Sequence, residues 1–148
     1  MYAKKKVYNF EVADWHTYFV GVLMWLVYNA VVPCLSKFLK MSVDEILVIG
    51  KKYGGIHLIN GSLDTVIANS MRYDGFWKKM AVITRDVAEK HLFNNGNKRA
   101  TQEIITEMMK RNNIFTGAST KQIRQTILEV AKGNLKEVDE IAKLLRGF

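Results

Sequence analysis

The chain has 148 residues and a formal net charge of +8, with about half of its residues apolar and a quarter charged. That length allows one domain with a real core, and that apolar content excludes a disordered chain. The lone cysteine, Cys34, excludes an intramolecular disulfide, and no Cys/His cluster has the spacing of a zinc site.

The first forty residues read differently from the rest. VYNFEVADWHTYFVG (7–21) alternates in places and is rich in aromatic and β-branched residues, which predicts strand. The apolar run from Tyr18 to Leu35 is 18 residues long, the short limit for a membrane span, and Asn29 and Pro33 interrupt it. Glu11 and Asp14 precede it where a signal peptide would be basic. No membrane span is expected.

From Met41 onward the texture is that of capped amphipathic helices. Ser42 and Glu45 form a capping box ahead of ILVIGKKY, and Gly54-Gly55 closes that helix. Ser62 opens SLDTVIANSMR. Asp74 opens a longer segment, in which Phe76, Trp77, Met80, Ile83, Val87 and His91 recur at helical spacing. Lys98 to Asn112 predicts another helix, with Ile104, Ile105, Met108 and Met109 on its apolar side. Ser119 and Thr120 cap KQIRQTILEVAKG, and an Asn134-x-x-Glu137 box opens the last helix. The expected fold is all-α, a compact helical bundle over residues 41–148 preceded by a short hydrophobic, strand-patterned arm over 1–40.

Residues 1–40 carry five lysines and two acidic residues, and the other 17 basic and 12 acidic residues lie beyond them. The later basic residues are spread along helical patterns. A solvated surface and an anionic partner such as nucleotide or RNA both fit that spread. No DNA partner is expected.

Positions 91–101, HLFNNGNKRAT, carry the chemistry. Gly96 allows backbone angles closed to other residues, and Asn95 and Asn97 tolerate left-handed conformations. A connector over 94–97 would turn successive N–H groups inward and feed them into a helix N-terminus, where partial positive charge favours phosphate. Lys98 and Arg99 oppose the helix dipole unless an anion sits there. Phe93 would pin the loop to the core. His91, placed in the last turn of the preceding helix, would lie beside the phosphates and take a proton from a hydroxyl nucleophile. An ordinary helix–helix linker with a solvated Lys-Arg pair is the plainer alternative.

This segment resembles the motif of the Fic/Doc family, H-x-F-x-[D/E]-G-N-[G/K]-R, and the likeness extends over residues 41–148, including MSVDEILVIGKKYGGIHLINGSLDTVIANS. Lys98 replaces the glycine of adenylylating Fic enzymes, and Gln102 stands where their second arginine would be. Both point to the Doc branch. The resemblance implies a toxin that moves the terminal phosphate of ATP or another nucleoside triphosphate, with Mg²⁺, to a hydroxyl of a translation target such as elongation factor Tu. It implies His91 as general base, Asn95 as a weakened metal ligand, and Gly96 and Asn97 as the anion nest. Lys98 and Arg99 become the phosphate clamp, with Asn94 part of the phosphate-binding loop. Asn95 replaces the family's carboxylate, which lowers metal affinity. A Fic-type adenylyltransferase and a catalytically degenerate module that binds protein or RNA are the alternatives. The family's self-inhibition motif, [S/T]-x-x-x-E-[G/N], is not found, so a separate antitoxin or immunity protein is the expected control.

The arm, with its HTYFV block and VYNA at 27–30, resembles the C-terminal end of a Hint domain, the self-cleaving module of polymorphic toxins. His16 matches that family's block histidine and Asn29 its terminal asparagine, whereas Tyr28 stands where a histidine is usual. The resemblance implies a remnant of such a module. It also implies a toxin that acts in the cytoplasm and belongs, or once belonged, to a larger delivered protein.

Overall fold

The computed structural model describes residues 37–148 and, as backbone, two strands, β1 (Thr17–Val20) and β2 (Trp25–Tyr28). The strands pair antiparallel, Thr17 opposite Tyr28 and Val20 opposite Trp25. His16 and Asn29 lie outside the described residues, as do residues 7–16 of the strand-patterned stretch. The chain divides into two units, Met1–Lys37 and Phe38–Phe148.

The second unit is helical. Its helices are α1 (Val43–Lys52), α2 (Leu63–Met71), α3 (Phe76–Thr84), α4 (Asn97–Arg111), α5 (Thr120–Ala131) and α6 (Val138–Arg146). The capping box at α1 is formed in both directions: Ser42 N–H donates to Glu45 Oε2 at 2.7 Å, and Glu45 N–H to Ser42 Oγ at 3.3 Å. Ser62 caps α2 through the Thr65 N–H, and Ser119 forms a second box with Gln122. These polar side chains satisfy N–H groups that a helix start leaves without partners.

Two helix starts differ from the sequence reading. The cap of α3 is Gly75, at φ 81°, rather than Asp74, and no side chain bonds there. The cap of α6 is Glu137, not Asn134. Asn134 belongs to the end of α5. Gly133 turns left-handed, its N–H reaches the Val130 carbonyl, and the Asn134 N–H reaches Glu129, which is the Schellman closure. The Asn134 side chain also donates to Glu129.

The start of the unit also lies earlier than the capping box. The Leu39 N–H and carbonyl both bond the Asn112 carboxamide, at 2.8 and 3.1 Å, and Met41 is in the core. Phe38 packs edge-tilted on Phe76, with centroids 6.3 Å apart.

α3 is the central helix. Lys79 through Thr84 are all buried, so its surface is covered on every side rather than along one stripe. It packs on α2 and α6 and touches α4. Ala100, Thr101, Ile104, Ile105 and Met108 form the buried side of α4. Met109, expected beside them, is only half-buried against the same core.

Candidate anion-binding site

The helix that begins with α3 does not run to His91. At Arg85 it widens into a π turn that ends at Glu89, and the Leu92 N–H closes the end on the Val87 carbonyl. A π turn takes more residues per turn than an α-helix, so side chains beyond it leave their expected angular positions. His91 is therefore not in the last helical turn. It lies two residues past the end, at φ 49°, exposed to solvent. Asn60 holds this conformation from the α1–α2 loop, donating to the Lys90 carbonyl at 2.8 Å and the His91 carbonyl at 3.2 Å. Asp86 in the π turn is buried and bound by Asn69, Arg85 and Lys90.

The loop that follows is stapled from several sides. Phe93 is almost wholly buried. Its ring lies so close to Gly50 of α1 that a Cβ there would approach Phe93 Cε1 to 2.5 Å. Leu58 forms a single antiparallel bridge with Phe93. The Ile59 N–H reaches the Leu92 carbonyl and the Asn94 N–H reaches His57, both at 2.9 Å. The Asn94 side chain returns a bond from the His57 N–H at 3.1 Å.

The asparagines divide the work. The buried Asn97 carboxamide accepts from the Phe93 N–H at 2.8 Å and donates to the Phe93 carbonyl at 2.7 Å. Its side chain is a loop staple, and its backbone N–H is left without an acceptor among the described residues. Asn95 is exposed, and its Oδ1 accepts the Gly96 N–H at 2.7 Å. One donor of the expected nest is thereby occupied. Gly96 sits at φ 71° with the Tyr53 carbonyl against it, where a Cβ would be 2.3 Å from that oxygen.

What remains open is the start of α4. Its first intrahelical bond is the Ala100 N–H to the Gly96 carbonyl, and Gly96 offers no side-chain cap. The N–H groups of Asn97, Lys98 and Arg99 have no acceptor among the described residues. No acidic residue lies in that first turn. Lys98 and Arg99 are exposed and make no salt bridge among the described residues. These groups, with His91, Asn94, Asn95 and Gly96, line one open groove of about 350 Å³. Free donors, the helix dipole and two cations favour a phosphate-like anion there. The lining holds no carboxylate, so a divalent cation would rest chiefly on the oxygens of its ligand.

Three residues beside the groove carry no motif. The Arg99 guanidinium lies 5.3 Å from the centroid of the Tyr53 ring. The Tyr53 hydroxyl donates to Glu103, and Lys52 Nζ meets both Glu103 oxygens at 2.9 and 2.8 Å. Lys52 and then Tyr53 hold the Glu103 carboxyl below its ordinary range, and Glu103 in turn raises both partners. The Arg99–Glu103 spacing was readable on the helix, but the reach of Tyr53 was not.

No protein-family model matches the chain, and no curated protein matches it significantly. No helix among the described residues is long and apolar enough to cross a membrane.

Proposed function

We propose that the chain is a Doc-like toxin that transfers a phosphate from a nucleoside triphosphate to a protein hydroxyl and so arrests growth. The reading rests on one observation: His91, Lys98, Arg99 and the helix start whose first three N–H groups have no acceptor among the described residues line a single groove. In this reading the triphosphate lies on the α4 N-terminus, held by Lys98 and Arg99. His91 accepts the proton of the attacking hydroxyl as its oxygen bonds the terminal phosphorus and the bond to the nucleoside diphosphate breaks. Positioning and charge stabilisation supply the catalysis. Mg²⁺ enters with the nucleotide as part of the substrate. The target in this reading is a translation factor such as elongation factor Tu, and an antitoxin or immunity protein holds the enzyme in check.

The test uses the full chain, bacterial lysate and ATP labelled at the α or the γ phosphate. Label on a protein from the γ position alone supports the kinase. Label from the α position assigns Fic-type adenylyl transfer instead. His91→Ala should lose the label and the growth arrest.

The Gly96 N–H taken by Asn95, and the absence of a carboxylate from the lining, favour a second reading: a phosphate-binding fold that has lost transfer and binds protein or RNA. Growth arrest that persists in His91→Ala, without label on any protein, would select it.

A further inference from the structure

Arg99 and Glu103 stand four residues apart on the exposed side of α4, the spacing at which a cation and a carboxylate on a helix come together. They do not pair. Glu103 is taken by Lys52 through both oxygens and by the Tyr53 hydroxyl, and Arg99 rests on the face of the same Tyr53 ring. One side chain therefore holds the carboxylate at its tip and the guanidinium on its face.

The placement of Tyr53 is itself fixed. It caps the end of α1, and its backbone carbonyl abuts Gly96 at the entrance to the groove. Glu103 is three-quarters shielded, whereas Lys52 is well exposed. Lys52 lies in the last turn of α1, where the helix dipole favours a cation. Binding Glu103 is thus the role in which its ammonium engages another element.

We infer that Lys52 and Tyr53 are positioning residues that keep Glu103 off Arg99, so that the guanidinium stays open to a phosphate in the groove. Without them, Glu103 would be the nearest carboxylate along the helix to Arg99, and an internal anion would compete with the external one. This inference rests on the proposed phosphate-binding role of the groove for its functional meaning, but its structural content can be read without any ligand.

Two measurements on the full chain separate these levels. The first follows modification of Arg99 by phenylglyoxal, by mass spectrometry of the peptide that carries it. Lys52→Met/Tyr53→Phe keeps the ring and removes both groups that hold Glu103. Arg99 should react more slowly in that variant, and Glu103→Gln added to it should restore the rate. An unchanged rate, or no restoration, overturns the inference whatever the groove binds.

The second is calorimetric titration with inorganic pyrophosphate. Affinity should fall about two- to fivefold in the double variant, the range an exposed ion pair supplies as a competitor, and recover with Glu103→Gln. If the wild type binds pyrophosphate, equal affinity in the double variant overturns the inference. Protection of Arg99 that follows the expected order while the wild type binds no pyrophosphate would support the positioning role and overturn the proposed function.

Discussion

Gly75 and Gly96 are both helix caps with positive φ, at 81° and 71°, and neither bonds through a side chain. They differ in what surrounds them. A Cβ at Gly75 would meet nothing within 4 Å, whereas one at Gly96 would lie 2.3 Å from the Tyr53 carbonyl oxygen and 2.7 Å from its Cβ. Alanine costs about 1–2 kcal/mol at Gly96 for the left-handed backbone and about 1–3 kcal/mol at Gly75, whose ψ of 147° lies outside the left-handed region. At Gly96 the contact is with backbone, so α1 and the loop must separate, which adds about 1–3 kcal/mol. The totals are then about 2–5 kcal/mol at Gly96 and about 1–3 kcal/mol at Gly75, so at about 4 °C per kcal/mol for a unit of this size Gly96→Ala should melt about 6 °C below Gly75→Ala. Thermal unfolding followed by circular dichroism measures the gap. Because the forced movement opens the groove entrance, pyrophosphate binding should weaken in Gly96→Ala and stay unchanged in Gly75→Ala. Melting temperatures that agree within about 2 °C would refute the claim that close packing of α1 sets the loop.

Other substitutions probe the remaining contacts. Asn97→Ala leaves the buried N–H and carbonyl of Phe93 without partners and should cost about 2–4 kcal/mol in chemical denaturation. Asn95→Asp places a carboxylate in the groove and should lower the Mg²⁺ concentration for half-maximal target labelling, and coincident Mg²⁺ titrations would remove that position from metal contact. The Arg111 hydrogen bond, followed by the Ser42 N–H, holds Glu45 down from 4.5 to about 2. A carboxylate lowered on folding stabilises above its unfolded value and loses that contribution as pH falls through its folded one. The melting gap between wild type and Glu45→Gln should therefore be full at neutral pH and close as the pH falls from 4.5 toward 2.

Much of the site's chemistry was legible because it is local. Gly96 at positive φ, Phe93 in the core and Lys98-Arg99 in a helix first turn all follow from residue type and short spacing. What was not legible depends on contacts between distant segments. Asn97 looked like a nest residue, but Phe93 presented a bare backbone N–H and carbonyl within its reach, and burial made that pairing the stronger demand. His91 follows a helical period in the sequence that the π turn breaks. Gly50 stands inside a predicted helix, where an isolated glycine marks close approach, here of the Phe93 ring.

The sequence by itself determined that the body is all-α, where α1, α2 and α5 begin, and that a glycine-centred loop feeds cations into a helix start. Those features are set by backbone propensity, capping and 3.6-residue periodicity, which act within a few residues. The tertiary structure alone decided that Lys79–Thr84 of α3 are buried on every face, that Asn60 fixes the backbone at His91, and that Tyr53 stands between Arg99 and Glu103. These are outcomes of packing, in which α1 and the α1–α2 loop meet residues some thirty to fifty positions away. No pattern along the chain records which partner a side chain will find at that distance, because the choice depends on the helices being docked first.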